Sequence, residues 1–252
     1  MQKISVAIIT FNEEKKIAQC IESVKHIADE IVVVDSLSTD GTKRICNQYN
    51  VIFIEQPFLG YIEQKNFAVT KTTNDFVLSL DADEALDEQL KTAILKVKQT
   101  GLLHDGYSMN RCANFNGKWI KHGTWYPDRN VRLFNKHKAY WGGINPHDKI
   151  ETLKNATTQF LQGDILHYTY DNLADLVIQN NRFTTIQAKA MYQLGKRATP
   201  FNIFINPLVA FVNGYILKGG FLNGIDGFVI AKSVAYNTML KYAKLLQLQK
   251  NK

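Results

Sequence analysis

Residues 76–84 read Phe-Val-Leu-Ser-Leu-Asp-Ala-Asp-Glu, and residues 31–35 read Ile-Val-Val-Val-Asp. Each is a short apolar run that stops at an aspartate. Such a run is too short for a helix and lacks polar alternation, so it reads as a parallel strand covered on both faces. Ile4–Ile9 and Val51–Ile54 are two more runs of this kind. The intervening segments read as helices. Glu13–Val24 places Ile17, Ile21 and Val24 at helical spacing. Ser38, Thr39 or Asp40 can cap a helix through Tyr49, and Gly60–Val69 and Asp87–Val97 complete the series. Strand and helix in alternation predict an α/β fold with a doubly wound, mostly parallel sheet. Ligands of such sheets bind beyond the carboxyl ends of the strands. The polar residues expected there are Thr10, Asn12, Asp35, Asp81 and Asp83.

Past residue 105 the pattern changes. Gly106–Arg111, Lys118–His122 and Val131–Phe134 are short strand-like pieces among Gly, Asn, Pro and aromatic residues, which suits an antiparallel extension. Asp171–Leu194 is again helical, residues 198–217 hold no charge, and a final helix is expected from about Phe228 to Leu248. The expected division is 1–104, 105–170 and 171–252.

Composition excludes several classes. With 252 residues, 45% hydrophobic and 21% charged, the chain can bury a sizeable core and is not disordered. Fifteen Gly, five Pro and three Cys exclude collagen-like and disulfide-framework proteins, and without a CxxC pair neither a zinc site nor a redox pair is written. The N-terminal apolar run reads as a buried first strand rather than a targeting segment. The net charge of +7 is uneven: residues 1–175 sum to −2 and residues 176–252 to +9, with Asp226 the one acid of the latter. A basic C-terminal third suits an anionic surface. It is rich in aliphatic residues and carries no nucleic-acid-binding motif, so nucleic acid is not the expected partner.

Asp81 and Asp83, at i and i+2 on extended chain, are expected to point to one side and offer hard oxygen ligands to Mg²⁺ or Mn²⁺. A simple alternative is an acidic cluster (Asp83, Glu84, Asp87) that complements a helix N-terminus. Asp35 can accept a hydrogen bond from a base or ribose, or bond its own turn. No GxGxxG follows the first strand and no Walker A sequence occurs, so a metal rather than a glycine loop is expected to handle phosphate.

Ile-Thr-Phe-Asn-Glu (9–13), Val-Val-Val-Asp-Ser-Leu-Ser-Thr-Asp-Gly-Thr (32–42) and Leu-Asp-Ala-Asp-Glu (80–84) resemble the family-2 inverting glycosyltransferases of the GT-A fold. Trp-Tyr-Pro-Asp-Arg (125–129), Arg-Leu-Phe (132–134), Pro-His-Asp (146–148) and Gly-Gly-Phe-Leu-Asn-Gly (219–224) resemble the bacterial branch that glucosylates lipopolysaccharide or lipooligosaccharide cores. That branch commonly has His-Glu where this chain has His147-Asp148, and Asp where this chain has Asn223. The resemblance implies that 1–104 binds the nucleotide sugar and 105–170 faces the acceptor. Thr10, Asn12, Glu13 and Asp35 would line the nucleoside pocket, Asp81 would contact the ribose or support the metal's water shell, and Asp83 would bind Mg²⁺ or Mn²⁺. Arg129 and Arg132 would face the leaving group or a phosphorylated acceptor, and His147 would orient a catalytic base, Asp148 or alternatively Asp128. The implied reaction moves a sugar, glucose first among candidates, from a UDP-sugar to a lipid-linked saccharide. The alternatives are a capsule, exopolysaccharide or undecaprenyl-linked acceptor, or a nucleotide-binding membrane adaptor without catalysis.

The uncharged stretch 198–217 nearly reaches the length of a membrane span, but Pro200, Pro207, Asn202, Asn206, Asn213 and Gly214 are expected to interrupt it. With Lys196, Arg197, Lys218 and Lys232 around it, the expectation is an apolar hairpin lying on an anionic inner-membrane surface, in a cytoplasmic, peripheral protein.

Overall fold

The computed structural model describes residues 2–144, 147–170 and 172–250, with the side chains of Ile144 and His147 left out. The alternating part comprises β1 (Ile4–Thr10), α1 (Ile17–Val24), β2 (Glu30–Asp35), α2 (Thr42–Cys46), β3 (Ile52–Glu55), α3 (Tyr61–Thr70), β4 (Phe76–Asp81), β5 (Glu84–Leu86) and α4 (Glu88–Thr100). There follow β6 (Gly106–Phe115), β7 (Lys118–Trp119), β8 (Asp128–Asn135), β9 (Ala139–Ile144), β10 (His147–Thr152) and β11 (Thr158–Tyr170). Three helices end the chain: α5 (Leu173–Gln193), α6 (Pro200–Val212) and α7 (Gly224–Lys250). The Asp171 at which the fifth helix was expected to start lies outside the described residues; α5 is capped by Asn172, whose side chain accepts from Asp175 N.

The main sheet runs β3-β2-β1-β4-β8-β6-β11-β5, with β7 paired to the end of β6, and β9 and β10 form a separate ribbon. β3, β2, β1 and β4 are parallel, and β8 turns the sheet antiparallel. The continuous apolar runs follow from burial on both faces. Ile4, Val6 and Ile8 of β1 join Ile31, Val33, Leu78 and Leu80 in one core, while Ala7, Val32, Val34 and Val77 face the other core, with Ala68 of α3 and Trp141 of β9.

Three features depart from expectation. The chain does not stay extended after Asp81: it turns at Ala82-Asp83 and returns as β5, paired with β11. The acidic cluster does not act as a unit on α4: Asp87 is the cap, accepting from Leu90 N at 2.7 Å, whereas Glu84 is buried. Finally, α6 runs through Pro207 instead of breaking there, and continues as a π-helical turn, Asn213–Leu217. Pro200 occupies its first turn, where a missing N–H costs nothing, and Asn202 Oδ1 accepts from Thr199 N at 2.9 Å.

The chain divides into two compact units, Met1–Arg111 with Asp128–Tyr168, and Cys112–Pro127 with Thr169–Lys252. The expected middle piece, 105–170, is therefore shared between them. Inside the second unit, Phe115, Ile120, Leu176 and Ile230 form a core. Asp226 at the start of α7 holds Lys118 at 2.7 Å and Asn116 at 3.3 Å, and the Asn223 amide donates to the His122 carbonyl at 2.9 Å. Gly227 is required there: a Cβ would meet the Gly220 carbonyl oxygen at 1.9 Å.

Candidate active site

The first unit sets Asp35 and Asp81 at the carboxyl edge of the parallel strands. Thr10 is in register with Asp35, and Ile9 with Asp81. Asp35 and Asp81 thus flank β1 two strand spacings apart, roughly 10 Å between backbones. On that edge, Thr10 Oγ1 is buried with no hydrogen-bond partner among the described residues. Asp81 Oδ1 is also buried and accepts no well-aligned hydrogen bond, although the Lys65 ammonium lies 3.1 Å away. The Thr10 hydroxyl is thus the unpartnered group at this edge that a polar ligand would satisfy, while Asp81 has the Lys65 cation.

Asp35 is buried and occupied by its own turn, accepting from Ser38 N at 2.7 Å and from the Ser38 hydroxyl. Asn12, at φ +54°, joins the same loop: its Oδ1 accepts from Thr39 N at 2.8 Å and its own N–H donates to Ser38 Oγ at 2.7 Å. Glu13 N donates to Thr42 Oγ1 at 2.9 Å. Thr10, Asn12, Glu13 and Asp35 are therefore one locked loop system at the ends of β1 and β2.

Asp81 and Asp83 point to different partners, because the turn between them breaks the extended spacing that would align them. Asp81 takes Lys65 of α3, with Nζ 3.1 and 3.3 Å from its two oxygens. Asp83 Oδ2 is 3.1 Å from His167 Nε2 of β11. Burial opposes ionisation of both carboxyls. For Asp81 the charges of Lys65, Arg132 and Arg111 outweigh it and hold the group far below the usual carboxylate range. For Asp83 it is His167 that holds the group low.

Lys65 is buried and also reaches Asp148 Oδ2 of β10 at 2.7 Å, with its ammonium 4.2 Å from the centre of the Trp141 ring. Asn66 beside it bonds both backbone groups of Trp141, donating to O at 2.8 Å and accepting from N at 3.0 Å. α3 and the β9–β10 ribbon are thereby clasped so that Asp81 and Asp148 share one cation.

Behind Asp81, Glu84 is 1% exposed and forms a bidentate pair with Arg132, at 3.0 and 2.9 Å. Glu84 also accepts from Asp81 N at 3.0 Å, and Arg132 donates to Ser79 O at 3.2 Å. Arg132 is the extra residue of a β-bulge, where Tyr107 pairs with Leu133 but Ser108 with Val131. So Arg132 is neither at the surface nor open to a ligand: it braces the Asp81 turn from within. Asp128 Oδ2 pairs with Arg111 Nε at 3.1 Å, and Arg111 extends to within 3.6 Å of Glu84. Burial lowers the Arg111 pKa less than Glu84 and Asp128 raise it. Arg129, one residue on, is exposed and stacks on Phe160 at 3.9 Å. The His147 side chain lies outside the described residues; its backbone pairs with Ile144.

Among the described residues no three His, Cys, Asp or Glu side chains gather closely enough to hold a metal alone. The Asp83 carboxylate, beside the His167 imidazole at 3.1 Å, would offer a hard oxygen to Mg²⁺ or Mn²⁺, with phosphate and water oxygens supplying further ligands. Lys65, Glu84, Arg111 and His167 were not singled out from sequence as site residues. A lysine in a helix and a glutamate after a strand carry no local mark of burial, and each finds its partner far along the chain.

The profile of the family described as glycosyl transferase family 2 matches residues 5–160. A glycosyltransferase of Rickettsia typhi is 34% identical over 98% of this chain and 88% of its own length. The lipopolysaccharide core biosynthesis glycosyltransferase LpsC of Rhizobium meliloti is 29% identical over 97% of this chain and 92% of its own. The crystal structure of S. aureus TarS 1–349 shares the fold at a TM-score of 0.50 and 14% identity, covering 99% of this chain and 92% of that one. The match of the family profile takes in nearly all of β1, the elements through β10, and Asp35, Asp81, Asp83, Glu84, Asp128 and Asp148, and with it the chain belongs to glycosyl transferase family 2, with the GT-A fold.

Proposed function

We propose that the protein is an inverting, metal-dependent glycosyltransferase that moves a hexose, glucose first, from a UDP-sugar to a lipid-linked saccharide such as the lipopolysaccharide inner core. The observation that carries this reading is the shared cation: Lys65 holds Asp81, on the donor edge of the sheet, and Asp148, on the β9–β10 ribbon, within one salt-bridge cluster. The LpsC relative, a lipopolysaccharide core biosynthesis glycosyltransferase, supports the acceptor class.

In this reading the Thr10, Asn12, Glu13 and Asp35 loop receives the nucleoside, with the unpartnered Thr10 hydroxyl and the Lys65-paired Asp81 carboxylate facing the donor. Asp83, oriented by His167, would hold Mg²⁺ or Mn²⁺, which when bound would supply charge neutralisation for the departing diphosphate. Asp148 accepts the proton of the acceptor hydroxyl as its oxygen attacks the anomeric carbon, and UDP leaves from the opposite side in one displacement, without a protein nucleophile. Asp128 is the second candidate for this base because its side chain is more open, 38% exposed against 12% for Asp148. Glu84 and Arg132 keep the Asp81 turn in place. The enzyme works in the cytoplasm at the inner face of the membrane, where a lipid-linked acceptor is presented.

The test is UDP release from UDP-glucose with Mn²⁺ and a core oligosaccharide acceptor, for wild type, Asp148→Asn and Asp128→Asn. Acceptor-dependent release that falls about a hundredfold or more in Asp148→Asn, and less in Asp128→Asn, supports the reading, on the scale expected for loss of a general base. Release that ignores the acceptor, or survives Asp148→Asn in full, contradicts it.

A further inference from the structure

The second unit carries a surface that neither catalysis nor the core explains. Phe201, Phe204, Ile205, Leu208, Val209, Val212 and Ile216 recur along α6 and its π-helical continuation at three- and four-residue spacing, and all are exposed. A surface helix of a water-soluble protein turns its apolar stripe inward. Here the stripe faces out, and every residue of α6 keeps part of its surface open. The stripe continues past the π-helical turn in Leu217, Phe221, Leu222 and Ile225, which are 50–83% exposed. An apolar surface of this extent marks an interaction site.

The charge around it selects the occupant. Residues 198–217 contain no charged side chain, and both ends are cationic: Lys196 and Arg197 precede α6, and Lys218 follows. Lys232 of α7 adds a fourth cation, its ammonium 5.0 Å from the Phe211 ring and 5.7 Å from that of Phe228. Asp226, the single acid of 176–252, is buried against Lys118. A patch of aliphatic and aromatic side chains with a purely cationic border complements an anionic bilayer interface, in which the hydrocarbon lies below the phosphates. A second copy of the chain would set the same cationic borders against each other.

The orientation follows from the same residues. Pro200–Leu217 is long and apolar enough to cross a membrane by length and composition. The half-buried positions of α6 are nevertheless Asn202, Ile203, Asn206, Pro207, Ala210 and Phe211, and Phe211 meets Phe228 of α7 edge to face at 5.8 Å. The amides and the proline interrupt the apolar run, which is unfavourable in hydrocarbon, and a helix packed along α7 on one side offers its other side to the interface plane rather than spanning the bilayer.

We infer that α6 and the Leu217–Ile225 segment form an in-plane anchor, docking the protein on an anionic lipid surface with Phe204 and Leu208 among its inserted side chains and Lys196, Arg197, Lys218 and Lys232 at the phosphates. This agrees with a lipid-linked acceptor but does not depend on transfer activity. The test is sedimentation of the full chain with vesicles of phosphatidylcholine alone or with 30% phosphatidylglycerol, alongside Phe204→Glu/Leu208→Glu. Both proteins are also assayed for UDP binding, which the double change leaves intact because the residues lie on α6. The expected result is binding to anionic vesicles about tenfold or more tighter than to neutral ones, weakened by 0.5 M salt, lost in the double variant and reversed by alkaline carbonate, on the scale of several phosphate-facing cations. Equal binding by the double variant overturns the inference. So does carbonate-resistant insertion, which would mean a span, or a stable dimer that takes up no lipid, which would mean a second copy covers the stripe. Vesicle binding without transferase activity would fault the proposed function alone.

Discussion

Lys65 sits between two carboxylates that come from distant parts of the chain, 2.7 Å from Asp148 and within 3.3 Å of Asp81. Removing a cation from such a cluster leaves two acidic groups in a half-buried place without a counter-charge, which is costlier than losing an exposed pair. Lys65→Met is expected to lower kcat at least tenfold, a barrier rise of about 1.4 kcal/mol, with little change in KM for UDP-glucose; Lys65→Arg, which keeps the charge, recovers most of the rate. Steady-state kinetics on the three proteins check this, and an unchanged kcat in Lys65→Met would show that the cluster is not catalytic. This residue also shows where reading sequence stops. Asp35 and Asp81 were legible as strand ends because each terminates an apolar strand, and strand ends of a parallel sheet are where ligands bind, while Asp83 lies in the turn after β4. Lys65 was not: a lysine in a ten-residue helix has the pattern of a solvated position, and its burial is decided by Trp141 and Asp148, some 76 and 83 residues later. Arg132 misled in the opposite sense, since an arginine near an aromatic loop suggests a phosphate contact while its buried partner Glu84 carries no periodic signal.

At the scale of elements, the turn that separates Asp81 from Asp83 is held by what packs below it. Asp87 caps α4 through Leu90 N, and its other oxygen accepts from Asp164 N at 3.0 Å, which fastens the start of α4 to β11. Gly163, at φ +111°, lets β11 pass against that cap: a Cβ there would lie 2.2 Å from Leu90 N. Gly163→Ala is therefore expected to destabilise the protein by about 3 kcal/mol or more, since it combines a positive φ with a clash against backbone. Urea denaturation measures this, and a loss under about 1 kcal/mol would mean that β11 and α4 shift apart freely. β1, β2 and β4 could be read from the sequence because burial on both faces makes their apolar runs unbroken. β9, β10 and β11 could not, because they mix Gly, Tyr, Lys, Glu and Gln: β9 and β10 form a ribbon of their own, and β11, between β6 and β5, is only partly buried. The stop expected inside 198–217 also failed to appear. Proline is costly inside a helix through its missing N–H and the clash with the preceding turn, and α6 accommodates Pro207 on its half-buried side, toward α7.

For the molecule as a whole, several acids are held ionised by the fold. Asp29 is one: burial opposes its charge, but Lys98 at 2.6 Å and the Ile4 N–H at 2.8 Å hold its carboxyl below the usual value. A carboxyl whose pKa is lowered by folding adds stability above its unfolded value, about 3.9 for Asp, and that stability is lost as pH falls through the lower folded value. The urea midpoint is expected to drop between pH 6 and pH 3 in wild type and to drop less in Asp29→Asn; equal drops would show that Asp29 is not among the linked groups. The central claim, that the carboxyl edge of this sheet holds a divalent ion and a nucleoside diphosphate together, is tested most directly by calorimetric titration of UDP into wild type and Asp83→Ala, each with Mn²⁺ and with EDTA. Wild type with Mn²⁺ should bind UDP at least tenfold more tightly than wild type in EDTA or Asp83→Ala in either buffer, a difference of about 1.4 kcal/mol or more. UDP affinity that is the same in all four titrations would contradict it.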